Sequence, residues 1–215
     1  MAVKNKHYRT FLEQGDFKII TEDHIKKALE NVKGIHGQHI QEGRALLIFL
    51  YYTGARPIEA FHTKAGNFER ELKHVKIRVP TAKGGKMRSI RLPCTQRYSL
   101  VRELADYVFS LPPFVYPFWH YRSKHHRVRE YKGTTKHYHE STDKLRYHFS
   151  KWFAGILEEP IPPYYLRHNR FSQLAEAGVR IEDLRFFKGG RGLNSVMPYF
   201  HMSKQKSVNI SKKIR

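Results

Sequence analysis

Acidic residues and cysteine are the scarce types in this chain of 215 residues. Its one cysteine, Cys94, excludes an intrachain disulfide and any cysteine-based zinc site. Alone, it reads as a small, half-buried residue rather than a catalytic thiol. Only 19 Asp and Glu stand against 40 Lys and Arg, a formal net charge of +21. That surplus is far more than solubility requires, and it points to a polyanionic partner, nucleic acid before an anionic membrane surface. No apolar run approaches the roughly 20 residues of a membrane span, and the opening Met-Ala-Val-Lys-Asn-Lys-His has no hydrophobic signal core. The expectation is a soluble, intracellular protein, cytoplasmic or nucleoid-associated, with no membrane partner. Its length suits one domain with a proper core and a short extension.

What is present divides by period. Residues 1 to 20 are basic and aromatic without periodicity and read as an arm or linker. Thr21 can cap a helix carrying Ile25, Ala28, Leu29 and Val32 on one face, with Glu22 and Asp23 at its positive end and Gly34 as its stop. Ala45 to Tyr52 is almost continuously apolar, which predicts a buried central helix ending at Gly54. Between residues 67 and 93 the pattern alternates instead. Val75, Ile77 and Val79 share one strand face, Lys83-Gly84-Gly85-Lys86 makes a turn, and Ile90 and Leu92 share a face of the return strand. Residues 95 to 110 read as a core helix with Tyr98, Val101, Leu104, Ala105 and Val108 inward, closed by Pro112-Pro113.

Residues 114 to 139 mix Tyr116, Trp119, His120, Tyr121, Lys124, His125, His126, Arg127 and Arg129 with further basic and aromatic residues. With no cysteine and few carboxylates nearby, a zinc site is disfavoured. The stretch reads equally as a surface lying along phosphates or as a partly disordered loop. Leu145, Phe149, Trp152, Phe153 and Ile156 mark another amphipathic helix. After Pro160, Pro162 and Pro163, residues 163 to 178 form a helix with Leu166, Phe171, Leu174 and Ala175 as its apolar stripe and Gly178 as its left-handed end. Val179 to Phe187 is a short helix with Leu184 and Phe187 inward, broken by Gly189-Gly190.

Three stretches carry chemistry beyond packing. Thr53-Gly54-Ala55-Arg56-Pro57-Ile58-Glu59 sets Arg56 at a helix junction, because Pro57 suits a first helical turn. On their own, Arg56 and Glu59 could be a plain i,i+3 surface pair. Leu166-Arg167-His168, with Arg170, puts three nitrogen-rich side chains within one helical turn, which alone would read as a solvated basic face. Tyr199 lies in Met197-Pro198-Tyr199-Phe200-His201, where a packed core tyrosine would be the ordinary expectation. Taken together and in this order, they resemble the tyrosine recombinase (phage integrase) family. Thr-Gly-x-Arg-x-x-Glu looks like its first arginine motif, Leu-Arg-His its second, and Tyr-x-His its nucleophile ending. The Lys-Gly-x-Lys-x-Arg hairpin is similar to its catalytic lysine element, with Lys83 in the matching place.

The resemblance implies a mainly α fold with a small antiparallel β-sheet, covering roughly residues 16 to 205, with an arm at 1–15 and a basic tail at 206–215. It implies a site-specific DNA recombinase or integrase working without metal, ATP or any other cofactor. Arg56 and Arg167 would clamp the nonbridging phosphate oxygens, Lys83 would protonate the departing 5′ oxygen, and Tyr199 would form a 3′-phosphotyrosyl link. Glu59 and His168 carry over as supporting residues. Where most members have histidine three residues before the second arginine, this chain has Tyr164, which donates a hydrogen bond but is a poor general base at neutral pH. Where many have histidine or tryptophan nine residues before the nucleophile, Gly190 stands, and Lys188 or Arg191 is expected to supply the contact. Lys86, Arg88, Lys124, Arg127, Arg129 and Arg170 are the expected DNA contacts. The partner would be double-stranded DNA, bound by a homo-oligomer that need not persist when free. What precedes residue 16 is too short for a separate DNA-binding domain, so the chain reads as the catalytic domain of a longer protein or, second, as a reduced integrase. The divergent motifs suit a mobile element such as an archaeal virus or plasmid. Two other readings stay open: a type IB topoisomerase-like relaxing enzyme and a catalytically silent DNA-binding module.

Overall fold

The computed structural model describes residues 19–32, 38–81, 87–118, 163–189 and 192–200. The chain divides into two compact units, one formed by residues 22–170 and the other by residues 1–21 with 171–215.

In the larger unit, α1 (Glu22–Glu30) buries Ile25, Ala28 and Leu29 and starts on Glu22 and Asp23, whose charges suit a helix N-terminus. Helix α2 (Gln38–Thr53) has no single apolar stripe, and the reason is its place in the core: every residue from Ala45 to Tyr52 is buried. Arg44 grips Glu103 through two hydrogen bonds of 2.7 and 3.0 Å and also donates to the Leu29 carbonyl at 2.6 Å. One guanidinium thereby ties α2 to α1 and to α4 (Ser99–Phe109). The expected helix at 95–110 begins four residues later than its apolar spacing suggested. Residues 95–98 instead make a turn in which the Tyr98 N–H bonds the Thr95 carbonyl at 3.0 Å, and Tyr98 has a non-helical backbone.

Short helix α3 (Pro57–Phe61) leads through a 3-10 turn at Ala65–Asn67 into an antiparallel sheet of β1 (Phe68–Arg70), β2 (His74–Pro80) and β3 (Met87–Pro93). The hairpin of β2 and β3 pairs Val75 with Leu92, Ile77 with Ile90 and Val79 with Arg88. Strand β1 is an addition to the expected hairpin, and three residues are too few to show alternation in a sequence.

Helix α5 (Pro163–Glu176) begins in the larger unit and continues into the smaller. It ends as its glycine predicts: Gly178 has φ +79°, and the Val179 N–H bonds the Leu174 carbonyl at 3.1 Å. Helix α6 (Ile181–Lys188) carries Glu182 and Asp183 in its first turn, Arg185 and Lys188 in its last, and stops at Gly189 with φ +71°. A 3-10 turn at Leu193–Ser195 then leads to a helical turn at 197–200. Phe171, Ala175, Leu184, Val196 and Tyr199 form the core of this unit. Leu184 is fully buried and Phe187 partly so, while Phe186 faces solvent. Gln173 donates to the Ile20 carbonyl at 2.9 Å, which seats the start of the described chain against this half of α5. Among the described residues no helix is long and apolar enough to cross a membrane.

Candidate active site

The site grows from the end of α2. Thr53 turns its hydroxyl back to the Phe49 carbonyl at 2.6 Å and accepts the Ala55 N–H at 3.1 Å, while Gly54 adopts φ +56°. The chain thus leaves the helix in a tight turn. Arg56 follows in extended conformation as the residue preceding Pro57, a geometry that proline favours in its predecessor. Glu59, in the first turn of α3, reaches back and accepts the Arg56 backbone N–H at 2.9 Å.

That same carboxylate is the centre of a charge cluster. Arg56 Nη1 donates to Glu59 Oε1 at 2.7 Å, while Arg88 Nη2 and Arg167 Nη1 lie 3.4 and 3.7 Å from Oε2. Three elements meet here: α3 supplies Glu59, β3 supplies Arg88 and α5 supplies Arg167. Arg167 is further anchored by Nη1, which donates to the Gly54 carbonyl at 2.5 Å. Glu59, Arg88 and Arg167 are buried, whereas the Arg56 side chain is 31% exposed. The described residues therefore set three guanidiniums against one carboxylate, with Arg56 as the edge open to a ligand.

Burial alone would raise the Glu59 carboxyl, but Arg167 and Arg88, then the Arg56 N–H and guanidinium, outweigh it and hold the group below the usual carboxylate range. Arg167 moves down, because burial and the neighbouring Arg56 both disfavour its charged form and Glu59 only partly compensates. Arg88 also moves down through burial, against the pull of Glu59. Arg56 moves up: burial opposes its charge, yet Glu59 and Tyr164 overcome it. Like charges held together out of water favour an anion that neutralises them.

The remaining expected residues of the larger unit fall into two groups. Tyr164 and His168, one turn apart on α5, are half-buried with their rings edge to face at 5.1 Å, and Tyr164 adjoins Arg56. Arg88 and Arg170, expected as DNA contacts, are buried and half-buried respectively. Arg88 is buried because it shares the inward parity of Ile90 and Leu92 on β3. Arg170 is half-buried beside Tyr51, Tyr52 and Tyr98, and that burial lowers its pKa. Alternation could have found the first of these; the second depends on what α2 and residue 98 bring alongside α5. Tyr52 itself is pushed up by burial and by the Glu22 carboxylate.

In the smaller unit, Tyr199 is a packed residue, 3% exposed, with its ring 5.5 Å from that of Phe171. Lys188 Nζ stands 5.0 Å from the Tyr199 ring centroid and 5.6 Å from that of Phe171, and it donates to the Ser195 carbonyl. Lys83, Lys86, Gly190 and Arg191 lie outside the described residues, as do residues 119–139 of the histidine-rich stretch with Lys124, Arg127 and Arg129, the expected helix at 145–156, and His201.

Comparison with solved structures supports the fold. The chain is similar to XerH site-specific recombinase in its post-cleavage complex with palindromic difH substrate, at a TM-score of 0.57 and 22% identity over 91% of this chain and 52% of that one. It is also similar to XerA recombinase, at a TM-score of 0.59 and 17% identity over 92% of this chain and 63% of that one. It thus spans between half and two-thirds of the length of these relatives. No curated protein sequence matches it. The family model described as "Phage integrase family" matches residues 18–206, and the chain belongs to that family.

Proposed function

We propose that this chain is the catalytic part of a site-specific DNA recombinase, cleaving and rejoining double-stranded DNA through a 3′-phosphotyrosyl intermediate without metal or ATP. The observation that carries this reading is the single Glu59 carboxylate shared by Arg56, Arg88 and Arg167. A phosphodiester resists attack because its oxygens are anionic and its leaving alkoxide is poor. A preorganised guanidinium cluster answers the first difficulty, since it stabilises charge that grows on the nonbridging oxygens in the transition state. Arg56 presents the accessible donors, and Arg167, held by Gly54 and Glu59, adds its charge from behind. Arg88 orients Glu59, and His168 and Tyr164 line the same half of α5.

Tyr199 is the nucleophile in this reading, and Lys83 the acid that protonates the 5′ oxygen. The bond energy stays in the phosphotyrosyl link, so a 5′ hydroxyl of another strand can reverse the step. The match over 18–206 supports residues 16–205 as the working domain, with 1–15 as an arm and 206–215 as a basic tail. XerH is seen on its DNA substrate, and the charge of +21 favours the same class of partner here, bound by more than one protomer.

Covalent trapping tests the proposal. Incubation with nicked duplex carrying candidate sites, followed by denaturation, should give a protein–DNA adduct that Tyr199→Phe abolishes. Adduct formation by single protomers on any sequence would instead indicate a topoisomerase-like enzyme. Tight DNA binding over many sequences with no adduct would indicate a silent binding module.

A further inference from the structure

Lys188 ends α6, immediately before the left-handed Gly189, and contacts within the smaller unit place its ammonium. It faces the Phe171 ring at 5.6 Å and the Tyr199 ring at 5.0 Å, and it donates to the Ser195 carbonyl. Ser195 closes the 3-10 turn from which the helical turn bearing Tyr199 starts. The last turn of α6 therefore holds the segment that delivers Tyr199, and a positive charge lies against the aromatic ring itself. Tyr199 packs in a core cluster with the apolar residues Phe171, Ala175, Leu184 and Val196. Such surroundings by themselves disfavour a charged phenolate.

We infer that Lys188 is a positioning residue for Tyr199, which holds the tyrosine segment through Ser195 and stabilises the phenolate form of the ring it faces. Part of a phenolate's charge is delocalised into its ring, so a cation on the ring attracts the ionised form more strongly than the neutral one. The inference rests on the proposal that Tyr199 attacks phosphorus. In that step the phenolic proton leaves to solvent, the Tyr199 oxygen–phosphorus bond forms, and the bond from phosphorus to the 5′ oxygen breaks, with that oxygen taking up a proton. Lys188 stays an ammonium throughout and neither gives nor takes a proton. Its last-turn place on α6 favours that charge, because a helix C-terminus is the negative end of its dipole.

Two readouts test this in the full chain. The first is the titration of Tyr199 without DNA, followed by the Cζ resonance of 13C-labelled tyrosine and assigned by its loss in Tyr199→Phe. Lys188→Gln, which keeps a donor for Ser195 and removes the charge, should raise the Tyr199 pKa by about one unit, and Lys188→Arg should leave it near the wild-type value. The second readout is the rate of adduct formation between pH 6 and 9.5. Lys188→Gln should slow it by roughly tenfold at pH values below the Tyr199 pKa, a gap that narrows only as pH approaches that value, with Lys188→Arg restoring most of the rate. Should Lys188→Gln fail to fold, Lys188→Met serves as the uncharged variant. An unchanged Tyr199 titration in the uncharged variant, or a rate loss that Lys188→Arg does not repair, would overturn the inference. An altered titration with no adduct from the wild-type protein would retain the electrostatic coupling and sink the recombinase reading instead.

Discussion

Arg167 and Gly54, 113 positions apart, are joined by a hydrogen bond of 2.5 Å from the guanidinium Nη1 to the glycine carbonyl. Gly54 can aim that carbonyl because it stops α2 with φ +56°. The turn that releases Arg56 into the cluster is thus the same turn that anchors Arg167.

Gly54→Ala should therefore damage both arginines at once. A non-glycine residue at this φ costs on the order of 1–2 kcal/mol, to be read by urea unfolding. The rate of adduct formation should fall further than that loss of stability explains, since a shift of the turn moves two charge donors together. A variant as active as wild type would show that the Gly54 turn does not set the cluster.

Arg167→Ala should leave much of the DNA affinity while lowering cleavage by about 10²–10³ or more, the scale for removing a preorganised donor. Binding and single-turnover cleavage measured on the same duplex separate the two effects. Equal losses in both would make Arg167 a binding residue only.

The pH dependence of stability follows from Glu59, whose carboxyl lies below its ordinary value of 4.5 in the folded chain. A depressed carboxyl contributes stability that is fully present above the unfolded value and is lost as pH falls through the lower folded one. Wild-type stability should accordingly decline below about pH 4.5, and Glu59→Gln should show a shallower decline over the same range. At pH 7 the substitution leaves three guanidiniums without their counterion, which costs about 3–5 kcal/mol. Added phosphate should recover part of that loss in thermal melts. Parallel acid limbs for the two proteins would remove Glu59 from the account.

Arg88→Met should act on the fold rather than on the DNA backbone. Its guanidinium is buried against Glu59, so the variant should lose about 1–3 kcal/mol of stability. The slope of log affinity against log salt should stay as in wild type, because no phosphate contact is removed. A slope smaller by about one unit would return Arg88 to the DNA surface.

Much of this was legible in local pattern. The stops at Gly54 and Gly178, the proline opening α3, and the alternation of β2 and β3 all depend on residues within a turn or a strand of one another. Those are distances over which backbone sterics and side-chain period act directly. The two arginine strings stood out only through their resemblance to a known family, since local pattern alone reads one as a surface ion pair and the other as a solvated basic face. Even the burial of Arg88 was written in the parity of 88, 90 and 92, although its charge suggested a surface contact.

What the chain by itself determined, then, is most of the helices and the β2–β3 hairpin, where several of them stop, and a large positive surplus that favours an anionic partner. Only the tertiary structure decided that one carboxylate would serve three guanidiniums, that Arg170 would turn in beside Tyr51 and Tyr52, and that Lys188 would rest on the ring of Tyr199. Glu59 meets Arg88 across 29 positions, and Gly54 meets Arg167 across 113. No periodicity spans such separations, because they are closed by burying apolar faces of whole elements, and the polar partners then follow from where those faces pack.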